Sequence, residues 1–285
     1  MLVFEFRKEK TTMKKIVTLV LAAVMLVMAL SLTACGPKYN TVDDIKAAGE
    51  LVVYTEAGFA PYEFVYEGEI VGVDIKIMQA VAEKLGKKLV VEDVNFDSIV
   101  GAVKTGKADA GAAGITITAE RAEDVDFSIP YSSTEQYVIV KADNAEIKNM
   151  ETMTGKKVGV QQGTTSDFLI DGLIKNGTMA GTTLTTYDAP SLAAAALGTK
   201  IDAVVTDKLT AEVITASSNG AYKTFKLTKA DGSDVAEVEQ YGIAVTKGNK
   251  ELLDVINEVL EQLLKDGSIA KWEKEYNDLY STVEE

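Results

Sequence analysis

Gly106-Lys107-Ala108-Asp109-Ala110 and, later in the chain, Gly198-Thr199-Lys200-Ile201-Asp202-Ala203 state one phrase twice. In each, a glycine able to stop a helix is followed by a charged corner, an aspartate and the start of a buried strand. Five residues past the shared aspartate, at Gly114 and Asp207, each strand runs out into a loop. Open α/β sheets bind ligands at the loops beyond the carboxyl ends of their parallel strands. Two such units face to face would bring both loops into one cleft. Chance recurrence is the plainer alternative, and the flanking sequence decides between them.

Upstream of the first copy, residues 51–55 are apolar and β-branched, and 71–73 read as a further strand. Asp74 then reads as the cap of a helix with Ile77, Met78, Val81, Ala82 and Leu85 on one face, ended by Gly86. A strand at 89–94 and a short helix with Ile99, Val100 and Val103 inward lead to Gly106 and a strand at 108–112. The second copy repeats the pattern. A strand at 157–160 is followed by Gly163-Thr164-Thr165-Ser166 opening a helix to 174, a strand at 184–187, an Ala-rich helix at 191–197 and a strand at 203–205. Alternation of this kind implies two α/β units with mainly parallel sheets. The last part holds a strand at 241–246, a helix striped by Leu252, Leu253, Ile256, Val259, Leu260 and Leu263, and a second helix at 269–280. It is expected to return to the first unit, so the chain crosses twice, near 133–137 and 239–241, and two short crossings make a hinge. The expected organisation is lobe 1 from 51–135 plus 240–285, and lobe 2 from 136–239.

The N-terminus sets the compartment. Lys14 and Lys15 precede an apolar run at 16–32, which leads into Leu32-Thr33-Ala34-Cys35-Gly36. This is the layout of a secretory signal, and its end resembles the bacterial lipobox, in which the cysteine is acylated and becomes the first mature residue. A spanning helix is the alternative, but 16–32 is at the short end for one. Residues 1–34 are therefore read as an upstream extension plus lipoprotein signal, with Met13 the natural start, and 35–50 as a lipid-anchored tether and lead-in. The expected location is the extracellular face of the cytoplasmic membrane.

Cys35 is the only cysteine and there is no histidine, which excludes Ser-His-Asp and Cys-His catalysis and His-ligated metal. No metal or other cofactor is expected. The net charge is −14; residues 1–34 carry five Lys/Arg against two acids, leaving −17 for the rest. Such a surface repels nucleic acid and favours a soluble monomer.

Several stretches in order then resemble one family: Phe59-Ala60-Pro61-Tyr62-Glu63-Phe64, Val71-Gly72-Val73-Asp74-Ile75, Ala113-Gly114-Ile115-Thr116-Ile117-Thr118 with Arg121, Asp126-Phe127-Ser128, Gly159-Val160-Gln161-Gln162-Gly163-Thr164-Thr165, and Asp202 with Asp207. Over about 51–280 the chain is similar to the family 3 solute-binding proteins, the polar amino-acid receptors of bacterial ABC importers. The resemblance implies a two-lobed, type II periplasmic-binding-protein-like fold with the ligand in the interlobe cleft. It also implies delivery of a free L-amino acid to the importer's permease subunits.

A free amino acid carries two charges on one carbon, and a receptor must replace the water of both. Arg121 can fork onto a carboxylate, although Glu120-Arg121-Ala122-Glu123 also reads as charged surface. The helix opened by Gly163-Thr164-Thr165-Ser166 offers free N–H groups to an anion, or is simply capped by its own hydroxyls. With the resemblance, Arg121, Thr116 and Thr165 are assigned to the ligand carboxylate, and Asp207, Gly114 and Thr116 to its ammonium. The competing reading of Asp207 is a helix cap. Glu56, Phe59, Phe96, Gln161 and Thr206 match side-chain-pocket positions, though an aromatic is more often core. Asp109 and Asp202 read as structural corners. Arg121 offsets the ligand carboxylate and Asp207 its ammonium, so Glu56 is spare and points to a polar or cationic ligand. Two rivals share the fold: a dehydratase-type enzyme, for which no acid–base pair stands out, and a sensory domain, for which a signalling segment beyond Tyr280 would be expected.

Overall fold

A computed structural model of the chain describes residues 39–281. Cys35 and the signal and tether expectations at 1–38 lie outside the described residues. Among the described residues no helix is long and apolar enough to cross a membrane.

Two five-stranded sheets carry the molecule, and they have the same plan. In the first, the order is Lys88–Asp93, Glu50–Thr55, Ala110–Gly111, Ala244–Thr246, Val125–Phe127; the first three strands are parallel and Ala244–Thr246 runs against its neighbours. In the second, the order is Thr183–Tyr187, Lys157–Gln161, Ala203–Asp207, Gln136–Lys141, Tyr222–Lys226, again three parallel strands and then a reversed one. The reversed strand is where each sheet receives a crossing. Ser132–Thr134 passes directly into Gln136–Lys141, and Glu239–Tyr241 leads to Ala244–Thr246. The two crossing segments pair antiparallel, Glu239 opposite Thr134 and Tyr241 opposite Ser132.

The repeated phrase has a mechanical meaning. Asp109 donates its N–H to Val52 O at 2.9 Å and accepts from Val52 N–H through Oδ2 at 2.8 Å. Asp202 does the same to Lys157, at 2.7 and 2.8 Å. Each aspartate thus closes a two-bond clamp on the neighbouring strand where a third parallel strand would otherwise start loosely. In the first sheet the clamp compensates a short ladder, since only Ala110–Gly111 pairs there.

Helix Val73–Leu85 packs Ile77, Met78, Val81 and Ala82 at no more than 1% exposure under the first sheet. Each fully buried Ile or Met side chain stabilises by about 1.5–3 kcal/mol. Two expectations here need correction. The strand expected at 71–73 is Glu69–Val71, and the helix begins at Val73. Its cap is Gly72, not Asp74. Gly72 has φ +142°, and a Cβ there would stand 2.0 Å from Tyr62 O, so only glycine fits. Asp74 lies in the first turn and is fully buried, which gives it another task. Lys250–Lys265 and Ser268–Tyr280 return to the first sheet's core, contributing Leu252, Ile256, Leu260 and Ile269.

Candidate functional site

The carboxyl ends of both sets of parallel strands meet at one place. Phe59, Phe96, Gly114, Thr116 and Arg121 from the first sheet's side face Gln161, Thr165, Thr206 and Asp207 from the second around a single void. Glu56 stands just outside it, with Oε2 accepting from Gln161 Nε2 at 2.8 Å. All ten ligand-site positions expected from sequence therefore come together, although they lie on separate strands, helices and turns.

Arg121 is the first residue of the short helix Arg121–Asp124. Its N–H donates to Thr118 Oγ1 at 3.1 Å. Its guanidinium turns inward, donating to Thr116 O at 2.8 Å and Gly163 O at 3.1 Å, and lies over the Phe96 ring at 5.3 Å. Burial pulls its pKa down, while Glu239 and Asp207 oppose that. It is no surface arginine: it bridges the two sides and is stacked on an aromatic face.

Thr165 opens helix Thr165–Lys175, whose cap is Thr164, with Oγ1 accepting from Asp167 N–H. The capping task belongs to Thr164, and the Thr165 hydroxyl is free to point into the site. Gly114 has φ +52°, and a Cβ there would stand 2.7 Å from Phe59 Cε1. Its N–H donates to Asp74 Oδ2 at 2.9 Å, where Tyr131 OH also donates at 2.7 Å. The buried Asp74 thus orients the Gly114 peptide and leaves its carbonyl as the group to present. Burial lifts Asp74 to about 7, with those two hydrogen bonds working against the shift.

Asp207 sits at the N-cap position of helix Lys208–Ala216 but makes no side-chain cap bond. The carboxylate is 8% exposed and turned into the cleft. Oδ1 accepts from Gln136 Nε2 at 2.9 Å, and Oδ2 accepts from the Tyr241 hydroxyl. Burial first, then the Glu239 charge, push its pKa to about 7, against Tyr241, Arg121 and Gln136. Burial likewise lifts Glu56 to about 7, aided by Asp93 and Asp188 and opposed chiefly by Gln161. Phe59 is nearly buried, stacked at 5.9 Å on Tyr62 and edge-on to Tyr241.

Two site residues escaped sequence reasoning. Glu239 Oε2 accepts from Thr116 Oγ1 at 2.8 Å and from Thr165 Oγ1 at 2.7 Å. Gln136 Nε2 reaches both Glu239 Oε1, at 2.8 Å, and Asp207, while its amide oxygen accepts from Ser166 Oγ. Both lie in or beside the crossings. Those segments were read only as backbone links, and the charge of Glu239 was left out of the count of pocket charges.

The void itself is about 10 Å³, about the least that holds one water. An amino acid cannot occupy it unless the two sides part. Hydrogen bonds that hold them together include Gln161 to Glu56, Gln162 to Asp97 at 2.7 Å, Arg121 to Gly163 O, Thr210 Oγ1 to Ala60 O at 3.0 Å, and the Tyr241 hydroxyl to Asp207. Beside it, across Arg121 and Glu239, opens a cavity of about 550 Å³ that also touches Phe168 and Leu169.

A profile of the bacterial extracellular solute-binding proteins, family 3, matches residues 51–278. The L-cystine-binding protein of Escherichia coli K12 is 28% identical over 255 residues, 87% of this chain and 91% of its own. An ancestral arginine-binding protein solved with arginine is 42% identical with a TM-score of 0.71, over 80% of this chain and 98% of its own. An amino-acid ABC transporter substrate-binding protein of Streptococcus pneumoniae, solved with L-arginine, is 28% identical with a TM-score of 0.76, over 84% and 98%.

Proposed function

The chain belongs to the bacterial extracellular solute-binding proteins of family 3, and from that premise we propose that it captures a free L-amino acid and hands it to the permease subunits of an ABC importer. One observation carries the proposal: a guanidinium, two hydroxyls and a buried, uncapping carboxylate converge from two sheets on one void. Arg121 with the Thr116 and Thr165 hydroxyls suits a carboxylate. Asp207 with the Gly114 carbonyl suits an ammonium. Neither sheet holds both sets, so the ligand favours the closed arrangement in which they meet. The moving bodies are 51–135 plus 240–285 and 136–239, hinged at the paired crossings.

The ligand is a polar or cationic amino acid. Glu56 is a carboxylate beyond the one that balances the ammonium, and similar proteins are named for arginine and cystine. Phe59 and Phe96 flank the ligand side chain, with Gln161 and Thr206 at its polar end. The protein performs no turnover, acts as a monomer, and is held at the outer face of the membrane by a lipid on Cys35.

A thermal-shift screen over the twenty amino acids tests the reading. A ligand at a hundredfold excess over its Kd stabilises by about 2.7 kcal/mol, a shift of several degrees at this size. A flat response to every amino acid refutes it. Consumption of a cyclohexadienyl acid in a turnover assay replaces the receptor with the dehydratase.

A further inference from the structure

Glu239 is placed where nothing in a simple clamp requires a charge. It lies on the second crossing, Glu239–Tyr241, whose backbone runs beside Thr116: Thr116 bridges Tyr241, and Ile117 N–H donates to Gln240 O at 2.8 Å. From there its carboxylate reaches the centre of the site and collects three donors from three segments. Thr116 Oγ1 comes from the first sheet's side, Thr165 Oγ1 from the N-terminus of the second side's helix, and Gln136 Nε2 from the strand after the first crossing. The two hydroxyls are those assigned above to the ligand's carboxylate. Arg121, also assigned to that carboxylate, gives one N–H from each of two guanidinium nitrogens to the Thr116 and Gly163 carbonyls.

We propose that Glu239 is an internal stand-in for the ligand's carboxylate: it ties Thr116 to Thr165 across the cleft, and an incoming amino acid must displace it. The inference rests on the receptor reading, and adds a residue that sets affinity without holding the ligand. Its physical basis is that one pair of hydroxyl protons cannot serve two carboxylates, and two like charges at one set of donors repel. Glu239 therefore lowers the fraction of molecules whose donors are free, and apparent affinity falls by that fraction. Gln136, bonded to both Glu239 and Asp207, passes the displacement to the group that meets the ammonium. The device makes the free protein close on itself and gives the ligand something to release.

Calorimetry with L-arginine and L-glutamine on the wild type, Glu239→Gln and Glu239→Ala tests it, with melting curves to show that each variant folds. Glu239→Gln keeps the shape and removes the charge, so the design does not depend on the alanine variant folding. Both ligands are expected to bind both variants about tenfold tighter, the gain from raising a donor-free fraction of one in ten to near one. Equal or weaker binding of both ligands overturns the proposal while leaving the receptor standing. A loss confined to arginine overturns it also, and makes Glu239 a contact for the cationic side chain. If no amino acid binds the wild type, the receptor reading falls and this one with it. Solution scattering without ligand reads the same device: Glu239→Ala expands relative to wild type, and an unchanged radius of gyration overturns the tie.

Discussion

If Asp207 meets the ligand's ammonium as proposed, ligand affinity is a function of pH. It is buried with a pKa near 7, raised by burial and by Glu239, with Arg121, Tyr241 and Gln136 opposing the rise. At pH 6 such a carboxyl is about one-tenth ionised and at pH 8 about nine-tenths. A ligand ammonium facing it stabilises the ionised form, so binding releases a proton wherever the free protein holds one. Affinity for a neutral amino acid such as glutamine should then tighten about tenfold between pH 6 and pH 8, or about 1.4 kcal/mol. Glu56 also stands near 7, held there by burial, Asp93 and Asp188 against Gln161. If a cationic side chain meets it, arginine gains up to a further factor of about ten over the same range. Asp74 is lifted equally, but its carboxylate is turned to the Gly114 N–H and the Tyr131 hydroxyl and faces no ligand charge. Calorimetry in two buffers of different ionisation heat measures the released proton directly, and Asp207→Asn should remove it for glutamine. A Kd for glutamine that is flat from pH 6 to 8, or a slope that survives Asp207→Asn, refutes the assignment of Asp207 to the ammonium. Stability without ligand moves the other way. Carboxyls whose folded pKa is raised stabilise fully below their ordinary value, near 4, and lose that contribution as pH rises through about 7. The melting temperature of the free protein should therefore fall from pH 5 to 8 while ligand affinity rises.

Three further outcomes are expected. Arg121→Ala should lower affinity by two to three decades in calorimetry, because truncating one partner of a buried charge pair costs about 2–5 kcal/mol; Arg121→Lys should rescue little, since an ammonium cannot fork, and near-native affinity in the alanine variant rejects the carboxylate role. Asp109→Ala should cost about 1–3 kcal/mol by leaving the Val52 N–H unpaired, read by urea denaturation, with ligand affinity unchanged; a loss of affinity at constant stability would move Asp109 into the site. Cys35→Ala should abolish lipid labelling and release the protein from membranes, and unchanged labelling places the anchor elsewhere.

What the chain discloses before folding depends on how local the cause is. Helix Val73–Leu85 was legible because its apolar stripe and Gly86 are one continuous signal, and Gly86 does take the left-handed cap. Its start was misread, since the cap is set by Tyr62, a residue of another segment whose carbonyl leaves room only for Gly72. Asp74, a good cap by type, is instead drawn under the site by the Gly114 N–H, forty residues away in sequence. That the ten ligand-site residues would come together was legible for a different reason. They lie near the ends of strands and the starts of helices, where pattern breaks, and the motifs of the family they resemble single them out. Glu239 and Gln136 escaped because neither has a local signature. A glutamate in Val238-Glu239-Gln240-Tyr241 looks like any solvated charge until pairing with Ser132–Thr134 fixes which way it points.

The hinge and the site are consequently one construction. Each crossing enters its sheet as the reversed strand next to the third parallel strand, the one whose end carries Gly114 or Asp207. Gln136, the first residue after one crossing, pairs in register with Asp207. Glu239, the first residue of the other, bonds the hydroxyls of both sides. Tyr241, two residues on, donates to Asp207 and packs its ring edge-on to Tyr62 and Phe59. A change of angle between the sheets cannot leave the Glu239–Thr116 and Tyr241–Asp207 contacts as they are. If Asp207 meets the ligand's ammonium as proposed, its charge and the geometry of residues 134–136 and 239–241 are coupled through these hydrogen bonds as well as through the shape of the cleft. Coupling of that kind is reciprocal, so a substitution at these contacts that shifts the balance between open and closed forms must also shift ligand affinity.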